Sequence, residues 1–175
     1  MSDTFITVVV IAVVAILIFV LPLVTMAERV DSASQTDVQT LASDFINEVR
    51  TTGRVTPENY NKFLENLTAT GNTYDVNMEF KILDENPGKK STQATRDKIG
   101  ENVYYSVFTS QILEKLDNEE TYPLKEGDIV SVTVKNTNLT LSQQLRDFAY
   151  KVVGNDTYTI AASQGGLVTS TYAQN

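Results

Sequence analysis

Three carboxylate clusters are the residues best suited to chemistry: Asp84-Glu85, Asp117-Asn118-Glu119-Glu120 and Glu126-Gly127-Asp128. Paired carboxylates can divide the roles of acid and base, and the 117–120 group offers hard oxygen ligands of the kind calcium takes. No EF-hand spacing accompanies them, and on an acidic chain such runs read as solvated loops. The 175 residues include 14 Lys+Arg against 22 Asp+Glu, a net charge of −8, with no His, Cys or Trp. Without imidazole or thiol there is no Ser–His–Asp triad, no Cys nucleophile, no imidazole or thiolate metal site and no disulfide. Neither a Gly-rich phosphate loop nor a GxSxG elbow occurs. The excess of acid opposes non-specific phosphate contact, which needs clustered Lys and Arg. These residues lead us to expect no enzyme, no cofactor or metal, and no nucleic-acid partner.

Two smaller signals have bland readings. Tyr104, Tyr105 and Phe108 cluster in a way that suits helical packing better than ligand stacking. Three sequons, at Asn66, Asn138 and Asn155, are about what chance supplies in a chain this rich in Asn, Ser and Thr. They permit glycosylation only if the body of the chain lies outside the cytoplasm.

The elements that must carry these residues divide sharply. Asp3 is the only charged side chain in residues 1–27. Phe5 to Ala27 is an uncharged run of 23 residues whose only polar side chains are Thr7 and Thr25. A helix needs about 20 apolar residues to cross ~30 Å of hydrocarbon. The run is too long for a signal-peptide core and has no basic residue before it. It also lacks the polar stripe of a helix buried in a soluble protein. We expect residues 1–27 to form a membrane or filament-core helix, with Phe5, Val9, Ala12, Val13, Ile16, Leu17, Val20, Leu23 and Val24 as its packing surface. Pro22 removes one helical N–H near its end. That proline reads either as a tolerated kink or as a weak point where the helix can stretch.

No Pro or Gly separates Leu23 from Thr52, so the helix should continue through residues 28–53. Val38, Leu41, Phe45 and Val49, with Ala42 and Ile46 beside them, form a helical stripe suited to packing on a globular head. Gly53 is a natural stop, and Arg50 in the last turn suits the helix dipole. One helix from about residue 3 to about 51 would be about 75 Å long.

Residues 54–175 read as an α+β head with a small, mostly antiparallel sheet. Thr56-Pro57-Glu58 starts a helix that runs through Tyr60, Phe63, Leu64 and Leu67 to Gly71. Tyr74, Val76, Met78, Phe80 and Ile82 alternate as a strand. Residues 84–100 read as a polar loop, 101–117 as a helix and 129–135 as a strand. Ser142 is expected to cap a helix reaching Val153 and Gly154. Two strands, Thr157–Ala162 and Leu167–Tyr172, should flank SQGG as a hairpin loop.

An apolar, extended N-terminal helix carrying a small α+β head resembles the type IV pilin-like superfamily of pilins, pseudopilins and Tad-type relatives. Many members carry a proline at the twenty-second mature position, where Pro22 stands if Met1 is the first mature residue. The resemblance implies a structural subunit that sits in the membrane and is then polymerised by an assembly machinery. The product would be a helical homopolymer at the cell surface. It also implies that the Pro22 region can lose helical bonding and stretch. Members usually place an acid at the fifth position to pair with a neighbour's terminal amine. Here that position is Phe5, and Asp3 is the acid near enough to substitute. No basic leader with a Gly cleavage site is visible, so the chain reads as processed or as leaderless. The alternative is a single-span component of a secretion or conjugation envelope complex, with an acidic head that binds a partner.

Overall fold

The computed structural model describes residues 2–84, 104–144 and 160–172, apart from the side chains of Ser2 and Leu17. The fold is α+β: a long apolar N-terminal helix bearing a head of antiparallel strands and short helices. Helix α1 spans Ser2–Thr52, 51 residues without a break, including the turn at Pro22. It stops where expected: Gly53 turns to φ 66° and its N–H reaches the Val49 carbonyl at 2.9 Å. A Cβ at Gly53 would stand 2.3 Å from the Ser170 carbonyl oxygen, so glycine suits both the turn and the close approach.

The head follows as β1 (Arg54–Val55), α2 (Pro57–Ala69), β2 (Tyr74–Leu83), β3 (Tyr104–Phe108), α3 (Thr109–Asp117), β4 (Tyr122–Pro123), β5 (Ile129–Asn136) and β6 (Ala161–Leu167). The main sheet has the order β3-β2-β5-β6 with every neighbour antiparallel, and β1 pairs with β4 in a separate two-stranded ladder. Thr56 caps α2 through a reciprocal box with Asn59, at 3.2 and 2.9 Å, and Pro57 fills the first helical position. The expected alternation of β2 holds, with Met78 and Phe80 fully buried.

The second half of α1 lies on β5 and β6, with α2 beside it. Val38, Phe45 and Val49 are buried and Leu41 is half-buried, as the stripe requires. Phe45 stacks on Phe63 of α2 at 4.5 Å between centroids and 8° between planes. Burial of such a ring contributes roughly 1.5–3 kcal/mol by area alone. The sheet supplies Phe80, Val130, Val132 and Val134 from below.

Five expectations are corrected. The helix expected over 101–117 divides: Tyr104–Phe108 is strand β3, and only Thr109–Asp117 is helical. The aromatic and β-branched residues there pair with β2, placing Tyr105 opposite Ile82 and Val107 opposite Phe80. Thr109 locks the changeover, since its Oγ accepts from the Met78 N–H at 2.7 Å. Tyr104, Tyr105 and Phe108 are therefore an exposed sheet edge and not a helical packing cluster.

SQGG is no hairpin loop. Gln164, Gly165 and Gly166 sit within β6, opposite Val132, Ser131 and Val130. The glycines mark close approach: a Cβ on Gly166 would fall 2.6 Å from Arg50 Nε, and one on Gly165 would fall 3.0 Å from the Val130 carbonyl oxygen. The segment expected as a last strand, 167–172, instead ties the end of α1 to the head. Thr169 N–H donates to Arg50 O at 3.0 Å and Tyr172 N–H to Leu124 O at 3.1 Å.

Ser142 is not the helix cap. Thr140 is, with its N–H on Gln143 Oε1 at 2.7 Å and its Oγ accepting from Gln143 N–H at 3.3 Å. The remainder of that expected helix, the polar loop from residue 85 onward, residues 101–103, the Asn155 sequon and the start of the Thr157 strand lie outside the described residues.

Candidate functional site: an exposed apolar helix on a polar anchor

Of the carboxylates in these clusters, Asp128 has a structural part. Asp128 Oδ1 accepts from Leu83 N–H at 2.9 Å and Oδ2 from Lys125 N–H at 2.8 Å, closing the turn before β5. Asp117, Asn118, Glu119 and Glu120 end α3, where Asn118 donates its amide to Glu114 O at 2.7 Å and Glu119 takes φ 61°. Glu85 lies outside the described residues. Among the described residues, no group of three or more His, Cys, Asp or Glu is placed to hold a metal ion.

Several clefts open on the described part of the head. One of about 380 Å³ lies between Tyr105, Lys115 and Tyr122, and the Lys115 ammonium sits 5.0 Å above the Tyr122 ring. Another of about 780 Å³ lies between α2 and α3 near Tyr60 and Asp117. Burial raises the Tyr60 hydroxyl above its ordinary range, helped by Asp117 and Asp75. Burial does the same to Tyr122, helped by Tyr105 and Asp128. Both rings pack in the head, Tyr60 against Phe45 and Tyr122 against Phe80.

The first half of α1 contrasts with this quiet head. It leaves the globule, and among the described residues no other element covers it. Its exposed large apolar side chains range from 44% exposed, at Val9, to 72%, at Phe19. Phe5, Val13, Ile16 and Leu23 fall in that range, Ala12 is exposed, and Val20 and Val24 are partly shielded. The side chain of Leu17 lies outside the described residues. The only polar side chains of the run are turned inward: Thr7 Oγ donates to Asp3 O at 2.7 Å and Thr25 Oγ to Leu21 O at 3.0 Å. Such back-bonding leaves a nearly pure hydrocarbon surface. By length and composition this helix can span a membrane. Asp3 occupies the first turn, where its charge suits the helix dipole.

The site also includes residues that the sequence reading did not single out. Below Ala27, the face of α1 turned toward the head continues as Asp31 and Ser34, both 6% exposed, before Val38. Thr140 Oγ donates to Asp31 Oδ2 at 2.7 Å, and Ser142 Oγ donates to the same oxygen. Charge-assisted bonds of this kind offset the cost of burying a carboxylate. Gln35 grips the start of β6 with both ends of its amide: Oε1 accepts from Ala161 N–H at 2.9 Å, and Nε2 donates to Ala161 O at 2.6 Å. At the far end, Arg50 Nε donates to Leu167 O at 2.7 Å. The head is thus clamped to α1 at both ends of β6. The available signal was positional: Ala27, Asp31, Ser34 and Val38 follow helical spacing, with two polar residues on an apolar stripe.

Asn138 belongs to the same anchor. Its Oδ1 accepts from Thr73 N–H at 2.9 Å and its Nδ2 donates to Asn72 Oδ1 at 2.9 Å. The third residue of that sequon, Thr140, is the one bonded to Asp31. A glycan on Asn138 would have to displace this network, whereas Asn66 stands exposed on α2. Comparison of the chain with protein-family models, with curated proteins and with solved structures finds no match.

Proposed function

We propose that this protein is a structural subunit of an extracellular pilin-like filament, assembled through the N-terminal half of α1. The observation that carries the reading is the sustained exposure of residues 5–26 on a helix whose other half is firmly built into a head. An apolar surface of this extent is a site of association with lipid or protein. Lipid solvates it before assembly, and neighbouring copies of the helix replace the lipid in the polymer. Apolar burial changes little in that exchange, so close packing and the shortage of buried charge decide it. Asp3 beside a neighbour's amine would offset one charge in such a core. Pro22 leaves Ile18 O without its helical N–H, which suits a segment that stretches.

A second reading, a single-span component of an envelope complex with an acidic partner-binding head, is favoured by Phe5 at the position where a pilin-like acid would stand. Electron microscopy of material sheared from cells, with identification of the subunit by mass spectrometry, separates the two. Polymers containing this chain support the filament, and detergent-extracted monomers with no polymer overturn it. Val13→Asp is expected to abolish polymer while the head stays folded. Unchanged polymer yield from that variant contradicts a packed helical core.

A further inference from the structure

The end of the head nearest the apolar half of α1 differs from the rest of its surface. Among the described residues it includes two joined segments, 70–74 and 136–144. Thr137 N–H donates to Thr73 O at 2.8 Å, and Asn138 bonds Thr73 and Asn72. Neither segment holds a single charged residue, in a chain of net charge −8. The opposite end of the head carries Asp117, Glu119, Glu120, Lys125, Glu126 and Asp128. Within the second segment, Leu139 and Leu141 are 61% and 62% exposed, on either side of the buried Thr140.

Their height along α1 is set by Thr140, which is bonded to Asp31. Asp31 lies four residues past Ala27, the last residue of the apolar run, or about 6 Å along the helix axis. The polar layer of a bilayer extends roughly 5–7 Å beyond the hydrocarbon on each side. A membrane that ends its hydrocarbon at Ala27 therefore brings its headgroup layer level with Leu139 and Leu141. Exposed Val30 on α1 lies one residue from that height.

We propose that Leu139 and Leu141 insert into the headgroup layer of a lipid bilayer beside α1, giving the chain a second membrane contact that seats the head on the surface. The inference rests on the membrane-embedded state of the apolar helix. Two outward leucines suit that layer, and the described segments that carry them, 70–74 and 136–144, bring no acid against anionic lipid. The contact also limits tilting of the head about α1. In that posture the apolar half of the helix is presented to neighbours at a fixed angle.

The absence of cysteine makes the test clean, since each variant carries one thiol. Full-length Leu139→Cys, Leu141→Cys, Val13→Cys and Glu58→Cys would each be labelled with an environment-sensitive fluorophore. Each is then reconstituted in phosphatidylcholine–phosphatidylglycerol vesicles carrying a nitroxide either at the headgroup or deep in the acyl chain. We expect labels at 139 and 141 to shift to the blue and lose most of their emission to the headgroup nitroxide. The label at 13 should lose its emission to the deep nitroxide, and the label at 58 should respond to neither. If 139 and 141 behave like 58 while 13 is quenched, the second contact is wrong and the membrane helix stands. If 13 is also unquenched, the membrane reading fails and takes the second contact with it. A blue shift at 139 and 141 that depends on protein concentration and ignores both nitroxides assigns those leucines to a second copy, which overturns the proposal.

Discussion

Residues 5–26 and 27–52 of α1 share one unbroken backbone, yet their side chains meet different surroundings. The first half has no polar face and finds no partner among the described residues, where Phe5 is 71% exposed. The second half has a stripe and finds a complete partner, so Val38 and Val49 are fully buried. Periodicity is what separates them. A stripe specifies one direction of burial and can be satisfied by one head, whereas a helix apolar all round needs a surrounding solvent of lipid or other helices. Between the halves, Asp31 and Ser34 keep the helical spacing of the stripe and replace hydrocarbon with hydrogen bonds. That exchange marks where the all-apolar surface gives way to the head.

The contrast can be broken one half at a time. Phe45→Ala should cost the head about 3–5 kcal/mol, read by chemical denaturation, and should leave vesicle association of the folded fraction unchanged. Val13→Asp should do the reverse, weakening insertion by about 2.5–3.5 kcal/mol in a partition assay without moving the unfolding midpoint of the head. Asp31→Ala tests the junction. It strands the buried hydroxyls of Thr140 and Ser142 and should destabilise by about 1.5–3 kcal/mol, with faster hydrogen exchange in 137–144. Gly166→Ala pushes Arg50 aside and breaks its bond to Leu167 O, for a loss of about 1 kcal/mol in the same denaturation assay.

The smallest effect is alkaline and belongs to the head alone. Burial and nearby acids raise Tyr60, while burial, Tyr105 and Asp128 raise Tyr122. Above pH ~10 the unfolded chain loses these protons first. Their contribution to stability is therefore complete below that pH and declines as pH rises through the folded values. Tyr60→Phe with Tyr122→Phe should flatten the alkaline limb of a stability–pH curve. An equally steep limb in the double variant would assign it to other groups.

Local patterns were legible wherever a single element satisfied itself. Thr56-Pro57, the alternation from Tyr74 to Ile82, and Gly53 each act within a turn or one strand, and each appears as read. Failures came where a distant segment decided. The spacing of Val103, Tyr104, Val107 and Phe108 matched a helix, but the free edge of β2 offered backbone hydrogen bonds to Tyr104–Phe108. Gly165-Gly166 carried a turn signal, but helix α1 passes close above that strand and leaves no room for a side chain at Gly166. Ser142 was a sound cap by type. Asp31, more than a hundred positions away, recruited it, and Thr140 took the cap.

By itself the sequence determined that residues 5–27 cannot be satisfied by water, that residues 38–49 carry one face to bury, and that the helix between them has no reason to stop. Composition and period are properties of a local stretch, and both survive any arrangement of the remainder. Only the tertiary structure decided which strand receives the stripe, that Arg50 lies over a glycine, and that a buried Asp31 joins the helix to Thr140 and Ser142. Those contacts pair residues more than a hundred positions apart, and a hydrogen bond's distance and angle exist only once both partners have been brought together.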